Sequence, residues 1–402
     1  MRVSTPQFHQ KALQAILDQQ AQLIRTQNEV ATQRRVINPS DDPVATNVIN
    51  NLQRQIGLSQ RWLENGNLVE TYARQEETAL TSAKNIVIRV KELLLQGANG
   101  SLSASERESL AVELESRLDE LMQVANTQVN GSEYLFGGVR TDVPPVSRDA
   151  AGQFNYNGDQ GRRFLDVGAG VDLAMSDDGY GVFFDVLQGN GTFETVARST
   201  NTGTGIISPG SVDNPAAYVA DDYEIRFSIS GTQLVYEVFD SANNSVSGPT
   251  AYQDGADIQF NGMTVSISGT PQSGDIFEVN QSQRQDIFST VQQAIDALRM
   301  PTQTEAEKAI FHDRIDNVLQ NLDNGFDRIN QILGRVGGRL NVVENQRQVN
   351  EDFIANAKIA LSEARDVDMA DAISRLQQQQ LGLEAAQRSF ALIQNLSLFN
   401  FL

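Results

Sequence analysis

Two histidines, the Asp41-Asp42 pair and two glycine turns are the features of this chain whose residue types could do chemistry. His9 and His312 each lie in a helical pattern, far apart along the chain, and there is no cysteine. A nucleophile–histidine–carboxylate triad, a histidine metal site and thiol catalysis all lack their members. Asp41-Asp42 could act as paired acids or clamp a cation, but Pro43 follows them. A residue before proline resists the helical conformation, while proline suits the first turn of a helix, so the spacing predicts Asp42 as an N-cap with Ser40 and Asp41 helping. Gly168-Ala-Gly170 begins like a dinucleotide loop, yet Leu173 stands where the third glycine belongs and no helical pattern follows. Asp323-Asn-Gly325 lacks the later ligands of a calcium loop. No catalytic, cofactor or metal site is expected, and an enzyme is the least favoured class.

The chemistry is therefore in how elements pair. The 402 residues allow two or three domains. With 31 basic and 51 acidic residues the net charge is −20, which argues against nucleic acid or an anionic membrane as partner. The start, MRVSTPQFHQKALQ, has no apolar run of signal-peptide length, and no stretch of about 18 apolar residues follows. Export, if it occurs, uses a system that reads something else.

Both ends carry narrow helical seams. Leu13, Ile16, Leu23 and Val30 recur at three–four spacing that Gln20 and Gln27 complete; near the other end Met369, Ile373, Leu376, Leu383 and Phe390 do the same, with Gln380 and Gln387 between. Each seam is too weak to hold a lone helix in water, so pairing the two ends in one coiled coil is the economical solution. Leu392, Ile393, Leu396, Leu398, Phe399, Phe401 and Leu402 crowd the C-terminal end with apolar groups that need a covering partner.

Between the ends, helical periodicity runs from Pro43 to about Gln96 and, behind a Ser103–Glu106 capping box, to Asn130-Gly131. It returns at Ile287 and, behind a Thr304–Glu307 box, passes through Gly337-Gly338, where a kink, a close helix contact or a hinge is expected. From about Pro144 to Val279, short alternating runs such as YEIRFSIS and DIQFNGMTVSIS are broken by Gly, Ser and Asn and read as antiparallel strands. The expected class is a multidomain α+β chain, with a long antiparallel bundle or coiled coil formed by both ends and an inserted β-rich outer domain. The expected division is 1–42 with 366–402, 43–140 with 284–365, and 141–283.

MRVSTPQ, RRVINPSDDPVAT, NGSEYLFGGVRTDVPP, GADIQFNGMTVSISGTPQSGDIFEV and RDVDMADAISRLQQQQLGLEAAQRSF together resemble the flagellin superfamily of axial proteins, and within it the hook–filament junction branch. The resemblance implies export through the flagellar type III apparatus without a cleaved signal peptide, an extracellular place in the bacterial flagellum, and a terminal coiled coil that orders on assembly. It implies a ring of copies of the chain between hook-associated protein 1 and flagellin, and a cytoplasmic export chaperone bound through Leu376, Leu383, Phe390, Ile393 and Phe399. Leu13, Ile16, Leu23, Val30, Ile373, Leu376, Leu383 and Phe390 are then the assembly seam, and Ser40, Asp41, Asp42 and Pro43 the joint behind it. A flagellin filament subunit and a secreted adhesin-like surface protein are the alternatives.

Overall fold

A computed structural model describes the backbone of residues 5–399 and the side chains from 7 to 392, residue 8 excepted. The chain is α+β and divides into two compact units, one built from residues up to Glu64 and from Asn345 onward, the other from Asn65–Glu344.

The first unit is helical. Helix α1 (Thr5–Thr32) ends where Gln33 takes a left-handed φ of 55°, the conformation that terminates many helices. Helices α2 (Pro43–Gly97) and α5 (Glu305–Arg365) contribute their chain-end segments, and α6 (Met369–Phe399) completes the unit. Val36, Ile49, Ile56, Ile354, Ala357 and Leu361 form its small apolar core.

The second unit holds the rest of α2 and α5 with α3 (Ala104–Ala125) and α4 (Ile287–Leu298). Apolar residues at helical spacing, such as Leu110, Leu114, Leu118 and Leu121, are buried against Ile287, Val291 and Ile295. The capping box before α3 is present: the Glu106 amide donates to Ser103 Oγ (3.3 Å) and the Ser103 amide to Glu106 Oε2 (2.7 Å). Thr304 and Glu307 repeat it before α5. α3 stops at Ala125, earlier than its periodicity suggests, because Asn130 and Gly131, both at positive φ, instead turn a hairpin between β1 (Gln128–Val129) and β2 (Glu133–Tyr134). Gly337-Gly338 interrupts nothing. α5 runs through it, and an added Cβ at either glycine would meet no atom within 4 Å, so close packing is not what placed them.

Two short hairpins follow: β3 (Val146–Arg148) with β4 (Phe154–Tyr156), and β5 (Phe164–Gly168) with β6 (Val171–Ala174), whose turn uses Gly170. The Leu135-Phe136-Gly137-Gly138 run is buried here, and at Gly138 (φ 72°) a Cβ would lie 2.1 Å from the Asp159 carbonyl oxygen. Beyond a π-helical turn, Tyr180–Phe184, come β7 (Val186–Leu187), β8 (Phe193–Ala197), β9 (Ile206–Ile207), β10 (Ser211–Val212), β11 (Tyr223–Ser230), β12 (Gln233–Asp240), β13 (Ser245–Ala251), β14 (Asp257–Phe260), β15 (Met263–Ser268), β16 (Ile276–Gln281) and β17 (Arg284–Gln285). The antiparallel order β13-β12-β11-β16-β8 makes one sheet; β10-β15-β14, with β9 on β15, makes the other. Alternate residues of each point inward, so Ile225, Phe227, Val238, Phe277, Ile258 and Val265 share a second apolar core.

An ion cluster ties the first part of the insertion to the bundle. Arg339 of α5 donates to Glu76 of α2 (2.8 Å) and to Asp177 (2.7 Å), while Arg162 pairs with the other Asp177 oxygen (3.1 Å). Burial pushes the Glu76 carboxyl up to about 7, Asp177 adding to the rise and Arg339 opposing it.

Candidate assembly interface

α1 and α6 pair antiparallel. The rings of His9 and Phe390 meet edge-on with centroids 6.0 Å apart, Gln19 lies opposite Gly382, and Glu29 pairs with Arg375 at 3.2 Å. The covered positions that form a repeat are Ala12, Ile16, Gln19, Leu23, Thr26 and Val30 on α1 and Met369, Ala372, Leu376, Gln379, Leu383, Ala386 and Phe390 on α6, with His9, Glu29 and Arg375 covered beside them. Both sets follow strict three–four heptad spacing. Most members are only half-buried, and Gln19, Gln379 and Thr26 take core places that apolar residues would fill in a self-sufficient coiled coil.

The structure places the expected seam residues on two neighbouring stripes. Ile16, Leu23 and Val30 of α1 are half-buried, and so are Leu376, Leu383 and Phe390 of α6. Leu13 is 49% exposed and Ile373 43% exposed, and both lie off the covered rows. Gln20, Gln27, Gln380 and Gln387 are exposed as well; Gln19, Thr26, Gln379 and Ala386 hold the intermediate places. One residue is about 100° of helix, so a seam framed from Leu13 mixes two neighbouring stripes. The second stripe on α1 is real: Leu13, Leu17 (52% exposed) and Ile24 (54% exposed), with Gln20, Gln27 and Ala31 in register, forms a further heptad row with no covering helix among the described residues. Ile393 and Phe399 of α6 lie outside the described side chains.

The joint behind the seam is set by backbone pairing. Arg34 bridges Asp366, the Arg35 amide donates to the Arg365 carbonyl (2.8 Å), and the Val367 amide to the Gln33 carbonyl (3.2 Å). Asp42 caps α2 as expected, its Oδ1 accepting from the Val44 (3.1 Å) and Ala45 (2.9 Å) amides, with Pro43 opening the helix. The Ala45 bond is the main reason its carboxyl sits below the usual range. Asp41 does a different job, closing the preceding turn through the Asn38 amide (2.9 Å) and facing Arg25 at 3.5 Å. Ser40 is exposed and none of the capping bonds runs to it. Asp368 caps α6 through the Ala370 and Asp371 amides; the sequence reading missed it, although Asp-x-x-Asp before an apolar repeat was a visible signal. Arg25, Arg35, Arg375, Glu29, Asp41 and Asp42 line a polar cavity of about 370 Å³ beside this joint. The other chemical candidates are structural. Asp323–Gly325 lies within α5, Gly170 sits in the β5–β6 turn, and no group of three or more potential metal ligands occurs among the described residues.

Residues 3–141 match the bacterial flagellin N-terminal helical region, and residues 196–281 match the D2-like domain of flagellar hook-associated protein 1. Flagellar hook-associated protein 3 of Escherichia coli is 23% identical over 406 residues, covering 99% of both chains. The crystal structure of hook-associated protein 3 from Legionella pneumophila is 33% identical, with a TM-score of 0.76 over 78% of this chain and 98% of that one. The chain belongs to the flagellar hook-associated protein 3 family. The Xanthomonas campestris FlgL structure agrees, at 30% identity and a TM-score of 0.72 over 77% of this chain and 99% of that one. As a family member it is a structural protein of the bacterial flagellum, placed at the hook–filament junction. That role fits a chain whose α1–α6 pair is half-covered and whose Asp42, Asp368 and Glu29 serve caps and an ion pair.

Proposed function

We propose that the chain adapts hook-associated protein 1 on one side to flagellin on the other, as a ring of its own copies, and that it works by shape without catalysis. The observation that carries this reading is the uncovered row Leu13, Leu17 and Ile24 beside a row that α6 already covers. A helix with two adjacent heptad rows is suited to a bundle of more than two helices, and the partners it lacks within one chain are supplied by neighbours. Residues 1–42 with 366–402 then form the assembly domain, 43–140 with 284–365 the supporting bundle, and 141–283 the β-rich insertion; the joint at Ser40–Pro43 links the first two, which share the small core of Val36, Ile49 and Ile354. Purified chain added to isolated hooks that end in hook-associated protein 1 should make them competent to nucleate flagellin. Equal filament growth without it would overturn the proposal.

Export follows the flagellar type III route with no cleaved signal peptide, and a cytoplasmic chaperone holds the C-terminal segment beforehand. Leu376, Leu383 and Phe390 support this, because the face the chaperone would take is the face α1 covers after folding. The two partners therefore exclude each other, which keeps α6 from pairing early. A chain truncated before Asp366 should lose chaperone binding; retained binding would sink this part.

A further inference from the structure

The bundle and the two-sheet insertion keep separate apolar cores, with no residue common to both. What faces the insertion from α5 is a polar row, Asp313, Asn317, Asn321, Asn324 and Arg328, spaced four, four, three and four so that all five share one helix face. Asp313, Asn317 and Asn321 are buried. Most of the row's bonds go to backbone. The Ala197 amide donates to Asp313 Oδ2 (2.9 Å) and the Gly189 amide to Asn321 Oδ1 (2.7 Å). Asn324 Nδ2 donates to the carbonyls of Leu187 and Gly189, both at 2.8 Å; Arg328 Nε donates to that of Gly181 (2.7 Å), beside Val182 and Phe183 of the bundle core, and so holds the fixed side of the β7–β17 pair. Asn321 Nδ2 also reaches Glu194 (3.0 Å). The row thereby covers the outer side of β8, the edge strand of the five-stranded sheet, and the segment that leads into it.

A buried polar joint differs from an apolar one in how it opens. Side chain–backbone bonds add little net stability over the same groups solvated, but a half-open joint strands desolvated donors and acceptors. Such a joint is therefore either fully docked or fully hydrated. An apolar interface would have merged the two cores into one cooperative block.

We propose that the α5 polar row is a latch from which the β-rich insertion undocks as an intact, folded module, hinged on the short β7–β17 pair. This inference goes beyond the junction role and does not depend on it. Hydrogen exchange on the full-length chain, resolved to single amides, tests it. The Gly189 and Ala197 amides should exchange at least about tenfold faster than inner amides of β11 and β16 and than amides of α3, because latch opening precedes unfolding of either core. Replacing Asn321 and Asn324 together by Ala should speed Gly189 and Ala197 by a further tenfold or so, leaving β11, β16 and α3 unchanged. Latch amides in the parent chain that exchange in step with both cores would overturn the proposal, since that is one cooperative block. So would a double variant that loosens all three together, or one that leaves Gly189 and Ala197 unaffected.

Discussion

Arg375 of α6 reaches across to Glu29 of α1 at 3.2 Å, and Glu29, only 5% exposed, is held from its own helix by Arg25 at 3.4 Å. A carboxylate this deep in a thin seam needs its cations: with one removed, the other must serve a group that water barely reaches. Both arginines are substantially exposed, so screening limits what each adds. Arg375→Ala should destabilise the α1–α6 pair by about 1 kcal/mol, and adding Glu29→Gln should recover part of that loss. Urea titration followed by helical circular dichroism checks it; equal losses in the single and double variants would mean the pair is not coupled.

The two rows of α1 should respond differently to the same change. Leu23→Glu places a charge in the covered row and should destabilise the pair by a few kcal/mol. Ile24→Glu, one residue on, should change monomer stability by less than about 0.5 kcal/mol. Thermal melts of the two variants decide whether the rows are assigned correctly.

Much of this architecture is legible in the sequence. YEIRFSIS became β11 and DIQFNGMTVSIS became β14, an Asn261-Gly262 turn and β15, because strand alternation and turn chemistry are local. Both capping boxes are local too. The sequence alone does not decide the heptad frame at Leu13, because two apolar rows lie side by side and only a partner helix shows which one is covered. The Glu76–Asp177–Arg339 cluster and the α5 latch join residues over a hundred positions apart, where no spacing rule operates. The latch had one trace in the sequence: Asp313, Asn317 and Asn321 at helical spacing on a helix otherwise read by its leucines and isoleucines.

Glycines separate by environment. Gly138→Ala combines φ 72° with a Cβ 2.1 Å from a carbonyl oxygen, so it should cost about 1–3 kcal/mol. Gly337→Ala meets open space in a continuous helix and should stabilise by up to about 1 kcal/mol. Differential scanning calorimetry should show shifts of opposite sign; a destabilised Gly337→Ala would mean α5 needs that glycine in the monomer.

Asp313 gives the latch a pH dependence. Burial pushes its carboxyl up to about 6 from 3.8, while the Ala197 and Ile207 amides and Arg314 pull it down and Asp316 pushes it up; His312 acts on Asp316, and Glu194 of β8 faces the same row. The docked state thus holds a proton that the unfolded chain releases earlier. Its stabilisation is complete below about pH 4 and is lost as pH rises through about 6, amounting to at most about 3 kcal/mol. Asp313→Asn should flatten that slope in urea melts between these limits. An unchanged slope would assign the dependence to another group.

The junction role rests on the uncovered row of α1, and its most direct test is in cells. A chain carrying Leu17→Glu and Ile24→Glu, shown first to match the parent in helical content and melting temperature, would replace the cell's own junction protein. Filament-bearing hooks would then be counted by electron microscopy. The account predicts hooks without filaments; filaments at parental numbers would contradict it.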